Sequence, residues 1–237
     1  MLNLLYSKSV PITDKISFQM RTIGEIFEFG ENEYFAAIST FLADPFDYML
    51  PLYEAGIDYE QIDEFQLFLS LMGQLTPETM QFLFGDTLSF ENKVLAQDNE
   101  TEEIVLVNPE DPTDIFNATT LMVVADVIRK IHYIEHEVKK AGNAAAKQYF
   151  LERAMKRAKR RKREEEKPAL SPLIISLVNA PEFPYTFETC KEVTIYQFLS
   201  SVRKIPKRLS WNFIMHGVHV GMIDSKGLNW QELDWMS

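Results

Sequence analysis

A mainly α-helical fold, a helical domain with a small β-hairpin and a long charged helical arm, is what three features of this 237-residue sequence predict. Apolar residues recur at helical spacing through most of the chain. Helix-start signals stand directly ahead of several of those stripes. Residues 87–107 change to the pattern of two short strands around a polar tip.

The elements follow in order. Ile16, Phe18 and Met20 alternate with polar neighbours, as in a short half-buried strand or an extended arm. Thr22 and Glu25 have capping-box spacing, so a helix should begin there. Phe35, Ile38 and Phe41 mark a second helix that ends before Pro45, and residues 45–55 a third, stopped or kinked by Pro51. Asp63 precedes the stripe Phe65, Phe68, Leu69 and Met72 and reads as its N-cap. Thr76-Pro77-Glu78 combines a cap, a first-turn proline and a first-turn acid, with Gly85 to close that helix. Leu88, Phe90 and Val94, then residues 104–107, flank the polar stretch 97–102 as a hairpin.

A helix is expected from Asp114 through Leu121, Val124, Ile128, Ile131 and Val138, with Gly142 in the left-handed position after it and Asn143 capping the next one. The two would form an αα-hairpin. In the second limb Phe150, Ala154 and Ala158 fall at i, i+4 and i+8 and can face a core, while residues 159–167 hold no apolar side chain. Arg160–Glu164, Arg161–Glu165 and Lys162–Glu166 are i, i+4 pairs in the weaker order, worth a few tenths of a kcal/mol each. After Pro168 come a helix at 170–178, broken by Pro181 and Pro184, and a helix capped by Thr194 and running to Pro206. Residues 213–222 are apolar and punctuated by Gly217 and Gly221; Trp230, Leu233 and Trp235 close the chain. The expected organisation is residues 1–112, acidic and helical with the hairpin; 113–167, the αα-hairpin with its basic arm; and 168–237, an aromatic-rich helical region packed with the first as one domain.

Composition excludes several classes. With 46% hydrophobic and 12% aromatic residues the chain can bury a core, so it is not a disordered protein. No apolar run approaches the roughly 20 residues of a membrane span, and residues 1–15 lack the basic start and cleavage site of a signal peptide, so a cytoplasmic protein is expected. A single cysteine, Cys190, excludes an internal disulfide and a cysteine-based zinc cluster. The net charge of −11 is unevenly spread: residues 1–100 hold 17 acids and 4 bases, residues 139–167 hold 12 bases and 4 acids. Patches of opposite sign steer partners and favour head-to-tail self-association.

Catalytic signals are weak. His132-Tyr133-Ile134-Glu135-His136 is a literal H-x-x-E-H, the inverted zincin pattern, in which two histidines one turn apart bind zinc. No third ligand stands at a suitable distance, and two partly exposed helix histidines are the simpler reading. His216 and His219 sit in an apolar string and read as core or interface residues. Asp44, Asp47, Asp58 and Asp63 fall at turns, where capping accounts for them; Ser200 and Ser201 lack a nucleophile context. No enzyme, cofactor or metal is expected. The candidate partner-binding residues are Lys156, Arg157, Lys159, Arg160, Arg161, Lys162 and Arg163, with Trp230 and Trp235. Dense positive charge suits a phosphate backbone, yet no aromatic interleaves it and the rest of the chain is acidic, so a solvated arm or a docking site for an acidic protein surface is preferred.

The strings at 22–35 (TIGEIFEFGENEYF), 44–68, 173–179 (LIISLVN), 194–205 (TIYQFLSSVRKI) and 221–236 resemble those of small proteins encoded by tailed phages of Gram-positive hosts. The resemblance implies a part in virion morphogenesis, as a tail-assembly chaperone or a minor virion protein. Its partners would be tail or other virion proteins, with a homo-oligomer as a further expectation.

Overall fold

The computed structural model describes residues 3–98, 102–137, 139–161 and 169–236. In chain order the elements are β1 (Ser9–Pro11), β2 (Ser17–Gln19), α1 (Ile23–Phe29), α2 (Glu31–Phe41), α3 (Met49–Glu54), α4 (Glu64–Leu71) and α5 (Pro77–Phe84), followed by β3 (Val94–Gln97), β4 (Ile104–Asn108) and β5 (Asp111–Phe116). Then come α6 (Ala118–His132), α7 (Ala144–Arg161), α8 (Leu170–Val178), α9 (Ile195–His219) and α10 (Trp230–Leu233). The fold is mainly α, as the periodicity predicts. The chain forms two compact units, Met1–Met20 with Phe29–Pro168, and Arg21–Glu28 with Ala169–Ser237.

The first unit is built around aromatic rings. Strands β1 and β2 pair antiparallel, Val10 opposite Phe18, and the buried Phe18 ring meets Phe84 of α5 edge-on at 5.7 Å. Phe41 of α2 lies 5.2 Å from Phe84 and 5.4 Å from Phe68 of α4, and Phe68 lies 5.6 Å from Phe116. Tilted and edge-on rings at these distances gain about 1 kcal/mol per pair beyond their area. Val124, Ile128 and Ile131 supply the buried face of α6.

The expected hairpin is present as β3 and β4, paired with Leu95 opposite Leu106; residues 99–101 of its tip lie outside the described residues. A third strand was not expected: β5 continues the antiparallel meander, with Leu106 opposite Phe116. Asp114 therefore belongs to a strand and does not open α6. Asn117 does that, its side-chain oxygen accepting from the Thr120 amide at 2.9 Å.

The end of α6 is a second correction. The helix stops at His132, and Tyr133, not Gly142, takes the left-handed conformation (φ 55°). The Ile134 amide donates back to the Arg129 carbonyl at 3.0 Å, closing the helix. Two causes agree with that stop. The buried stripe ends at Ile131 and His132, and Glu135 and Glu137 would stand unfavourably at the negative end of a longer helix. Helix α7 then starts after Asn143, whose side chain accepts from the Ala146 amide, and it packs on α3.

The second unit begins with two helices that share a starting point. Thr22 and Thr194 form an antiparallel bridge: the Ile23 amide donates to the Val193 carbonyl and the Ile195 amide to the Arg21 carbonyl, each at 2.9 Å. Each threonine is also a cap. The Glu25 amide donates to the Thr22 hydroxyl while the Glu25 carboxylate accepts from the Thr22 amide at 2.8 Å; Thr194 and Gln197 repeat the arrangement. Gly24 lets α1 approach closely, since a Cβ there would stand 3.1 Å from the Lys191 carbonyl oxygen. Ile23, Ile26, Leu170, Leu177, Phe183, Cys190, Val193, Ile195 and Phe198 are the buried core.

Helix α9 does not end at Pro206; it contains it and continues to His219. A proline removes one amide and crowds the preceding turn, but apolar residues on both sides keep one helical stripe. The helix closes at Gly221, left-handed at φ 73°, with the Met222 amide donating to the Gly217 carbonyl at 2.8 Å and the Gly221 amide to Val218 at 3.1 Å.

Candidate partner-binding surface

Helix α7 has two faces with opposite tasks. On one, Phe150, Leu151 and Ala154 pack against a cluster of Ala43, Met49, Leu52, Tyr59 and Leu67, and the Phe150 ring meets Phe46 at 5.3 Å. Lys147 anchors the start of the helix, its ammonium 2.5 Å from Asp58 and 2.8 Å from Glu60 and 5.0 Å above the Tyr59 ring. The hydrogen bond from Lys147 holds the Asp58 carboxyl below its ordinary range, and the two carboxylates raise the lysine.

On the other face Lys156, Arg157, Lys159 and Arg160 are exposed, and among the described residues none is ion-paired. The Arg161 side chain, Lys162 and Arg163, and with them the three expected i, i+4 pairs, lie outside the described residues. The apolar positions expected to face a core do so at Phe150 and Ala154, and the described basic positions point away from it.

The two tryptophans lie in the other unit. Trp230 of α10 stands edge-on to Trp211 of α9 at 5.8 Å and keeps 42% of its surface exposed. Trp235 is half-buried, and its carbonyl accepts from the Lys204 ammonium at 3.2 Å. Beyond Pro206, α9 buries little: Gly217 is the one buried residue of that half, while Phe213 is 75% exposed, and past the helix end Val220 and Met222 are exposed as well. The sequence signal for this surface was the apolar string 213–222, read there without a face.

A second apolar feature escaped the sequence. Ile23 and Phe27 of α1 and Ile174 and Ile175 of α8 line a groove of about 310 Å³ with Phe187 and Cys190. Its two walls are about 150 residues apart in the chain, so no local pattern marks it. Burial raises the Cys190 thiol above its ordinary range, which suits a packing role over a nucleophilic one.

The catalytic-looking strings resolve into structural roles. His132 and His136 do not share a helix face. His132 is buried, its Nδ1–H donating to the Ile128 carbonyl at 2.8 Å. Its bare Nε2 then accepts from the Tyr34 hydroxyl at 2.7 Å. Burial pushes this imidazole down to about 4, against the smaller opposing effect of the Ile128 bond. His136 lies past the helix end, exposed, 3.8 Å from Glu64. The inverted zincin geometry is therefore absent from the motif. His216 and His219 are exposed, not core, because α9 turns that face outward. Ser200 and Ser201 donate to the Tyr196 and Gln197 carbonyls within their own helix. Asp58 and Asp63 are caps, as expected.

Among the described residues no helix is long and apolar enough to cross a membrane. Neither a curated protein nor a solved structure matches the chain. Residues 160–237 match the family described as YomV second domain, a family of Bacillus phage type, and this third of the chain, similar to a phage-protein domain, holds α8, α9, α10 and both candidate tryptophans.

Proposed function

We propose that this chain is a phage morphogenesis protein that serves tail assembly as a chaperone in the host cytoplasm. It acts by protein–protein contact and carries out no catalysis. The observation that carries the reading is the exposed apolar surface at the end of α9, Phe213, Val220 and Met222, within the segment similar to a phage-type domain. Large apolar side chains exposed close together in the chain are candidates for a contact site, and a chaperone holds its client by covering the client's own apolar surface. The basic face of α7 would add on-rate and register toward an acidic client.

The test is purification of the tagged protein from phage-infected cells, with virions analysed separately. Recovery with tail proteins from the lysate and absence from virions supports the chaperone reading; presence in virions makes the protein a minor structural component. Exposure of Lys156, Arg157, Lys159 and Arg160 favours one rival, a nucleic-acid accessory. Recovery with nucleic acid and no tail protein, lost on reversing those four charges, would replace the chaperone reading with that one.

A further inference from the structure

We infer that Asp44, Glu64 and His136 form a binding site for a divalent transition-metal ion in the first unit. The three come from separate places: Asp44 from the α2–α3 loop, Glu64 from the first turn of α4, and His136 from the connection between α6 and α7. One ligand atom from each lies within 4.8 Å of the others. The imidazole Nε2 and the Glu64 oxygen face each other at 3.8 Å. That is longer than a hydrogen bond and close to the ligand–ligand edge of about 3.4 Å that two groups bound to one tetrahedral zinc would have. Drawing the third ligand in takes a side-chain adjustment of about an ångström.

The surroundings fit a cation. Two carboxylates converge, and among the described residues no lysine or arginine pairs with either of them. The Asp44 carboxylate is oriented from behind by the Phe46 amide, which donates to Oδ1 at 2.7 Å, the kind of outer contact that steadies a metal-binding carboxylate. Asp44 and Glu64 are half-buried and His136 is exposed, which leaves room for water to complete the coordination shell. A donor set of one imidazole and two carboxylates suits Zn²⁺ or Co²⁺ and argues against Mg²⁺ and Ca²⁺, which prefer oxygen alone.

The site would have a structural use. Residues 134–137, 139 and 140 have no regular structure, and the side-chain links of this connection to the helical core include the 3.8 Å His136–Glu64 contact and an ion pair of Lys139 with Asp47 at 3.9 Å. A metal on His136 would pin the connection, and through it the root of α7, to α4 and the α2–α3 loop. The H-x-x-E-H string thus yields one ligand of a site that its own spacing does not describe.

The test uses the full chain and zinc alone, by equilibrium dialysis and by trypsin cleavage after the exposed Lys139 and Lys140. The expected result is one zinc per chain, weakened at least about tenfold by His136→Ala and by Glu64→Gln, with cleavage slowed by zinc in the parent protein but not in the variants. His136 is exposed, so the variant keeps its fold, which circular dichroism checks. His216→Ala/His219→Ala is the control, because those two exposed histidines at i, i+3 can also hold zinc. Failure to bind stoichiometric zinc, binding indifferent to His136 and Glu64, or binding lost with His216 and His219 would each overturn the site.

Discussion

His132 shows how one residue's role depends on where a helix stops. Its imidazole is buried and neutral, donating to Ile128 and accepting from Tyr34. In the unfolded chain it would bind a proton near 6.5, in the folded chain only near 4. Between those values the unfolded state binds more protons. The stabilising contribution is therefore full above about pH 6.5 and is lost as the pH falls toward 4, up to about 3 kcal/mol. Urea unfolding across that range should show this slope, and His132→Gln should flatten it. Tyr34→Phe removes the donor to Nε2 and should cost about 1–3 kcal/mol at neutral pH, measured the same way. The sequence displayed both histidines of the motif but not their separation. That depends on Tyr133 adopting a left-handed backbone, which aromatic residues seldom do and no local pattern announces.

At the scale of elements, several helix caps were legible, that of α6 was not, and the partnerships of the helices were not. Thr22 with Glu25 and Thr194 with Gln197 are interactions three residues apart; the first forms as its spacing suggests, and Thr194 caps its helix as expected. That the two caps bridge one another, drawing Arg21–Glu28 into the C-terminal unit, is a contact across more than 170 residues. Thr194→Ala should cost about 1 kcal/mol through the lost cap. Gly24→Val, which places a branched side chain against the Lys191 backbone, should cost about 1–3 kcal/mol. It should also raise protease sensitivity of residues 21–28. Strand β5 was missed for a related reason: Asp111, Pro112 and Asp114 are poor strand formers, and pairing with β4 overrides that preference. The continuation of α9 past Pro206 is a similar override, in which the stripe on both sides outweighs one lost amide bond.

At the scale of the molecule, the sequence singled out basic and aromatic residues as candidates for a partner surface and left their geometry open. Lys156, Arg157, Lys159 and Arg160 are exposed as a solvated basic face should be, because the facing positions Phe150, Leu151 and Ala154 take the core contacts. Trp230 and Trp235, singled out by type, are only partly exposed, whereas Phe213 and Met222 stand out further. Replacing Phe213 and Met222 with serine should leave unfolding free energy within about 0.5 kcal/mol, since neither is buried, while recovery of tail protein from infected lysates falls at least severalfold. The measurement that bears most directly on the central claim is photo-crosslinking in infected cells with a benzophenone amino acid at position 213. The account predicts a crosslink to a tail protein that is reduced when Met222 is also replaced. Crosslinks only to a second copy of this chain, or no crosslink while an acidic-surface position such as Glu78 captures a tail protein, would contradict it.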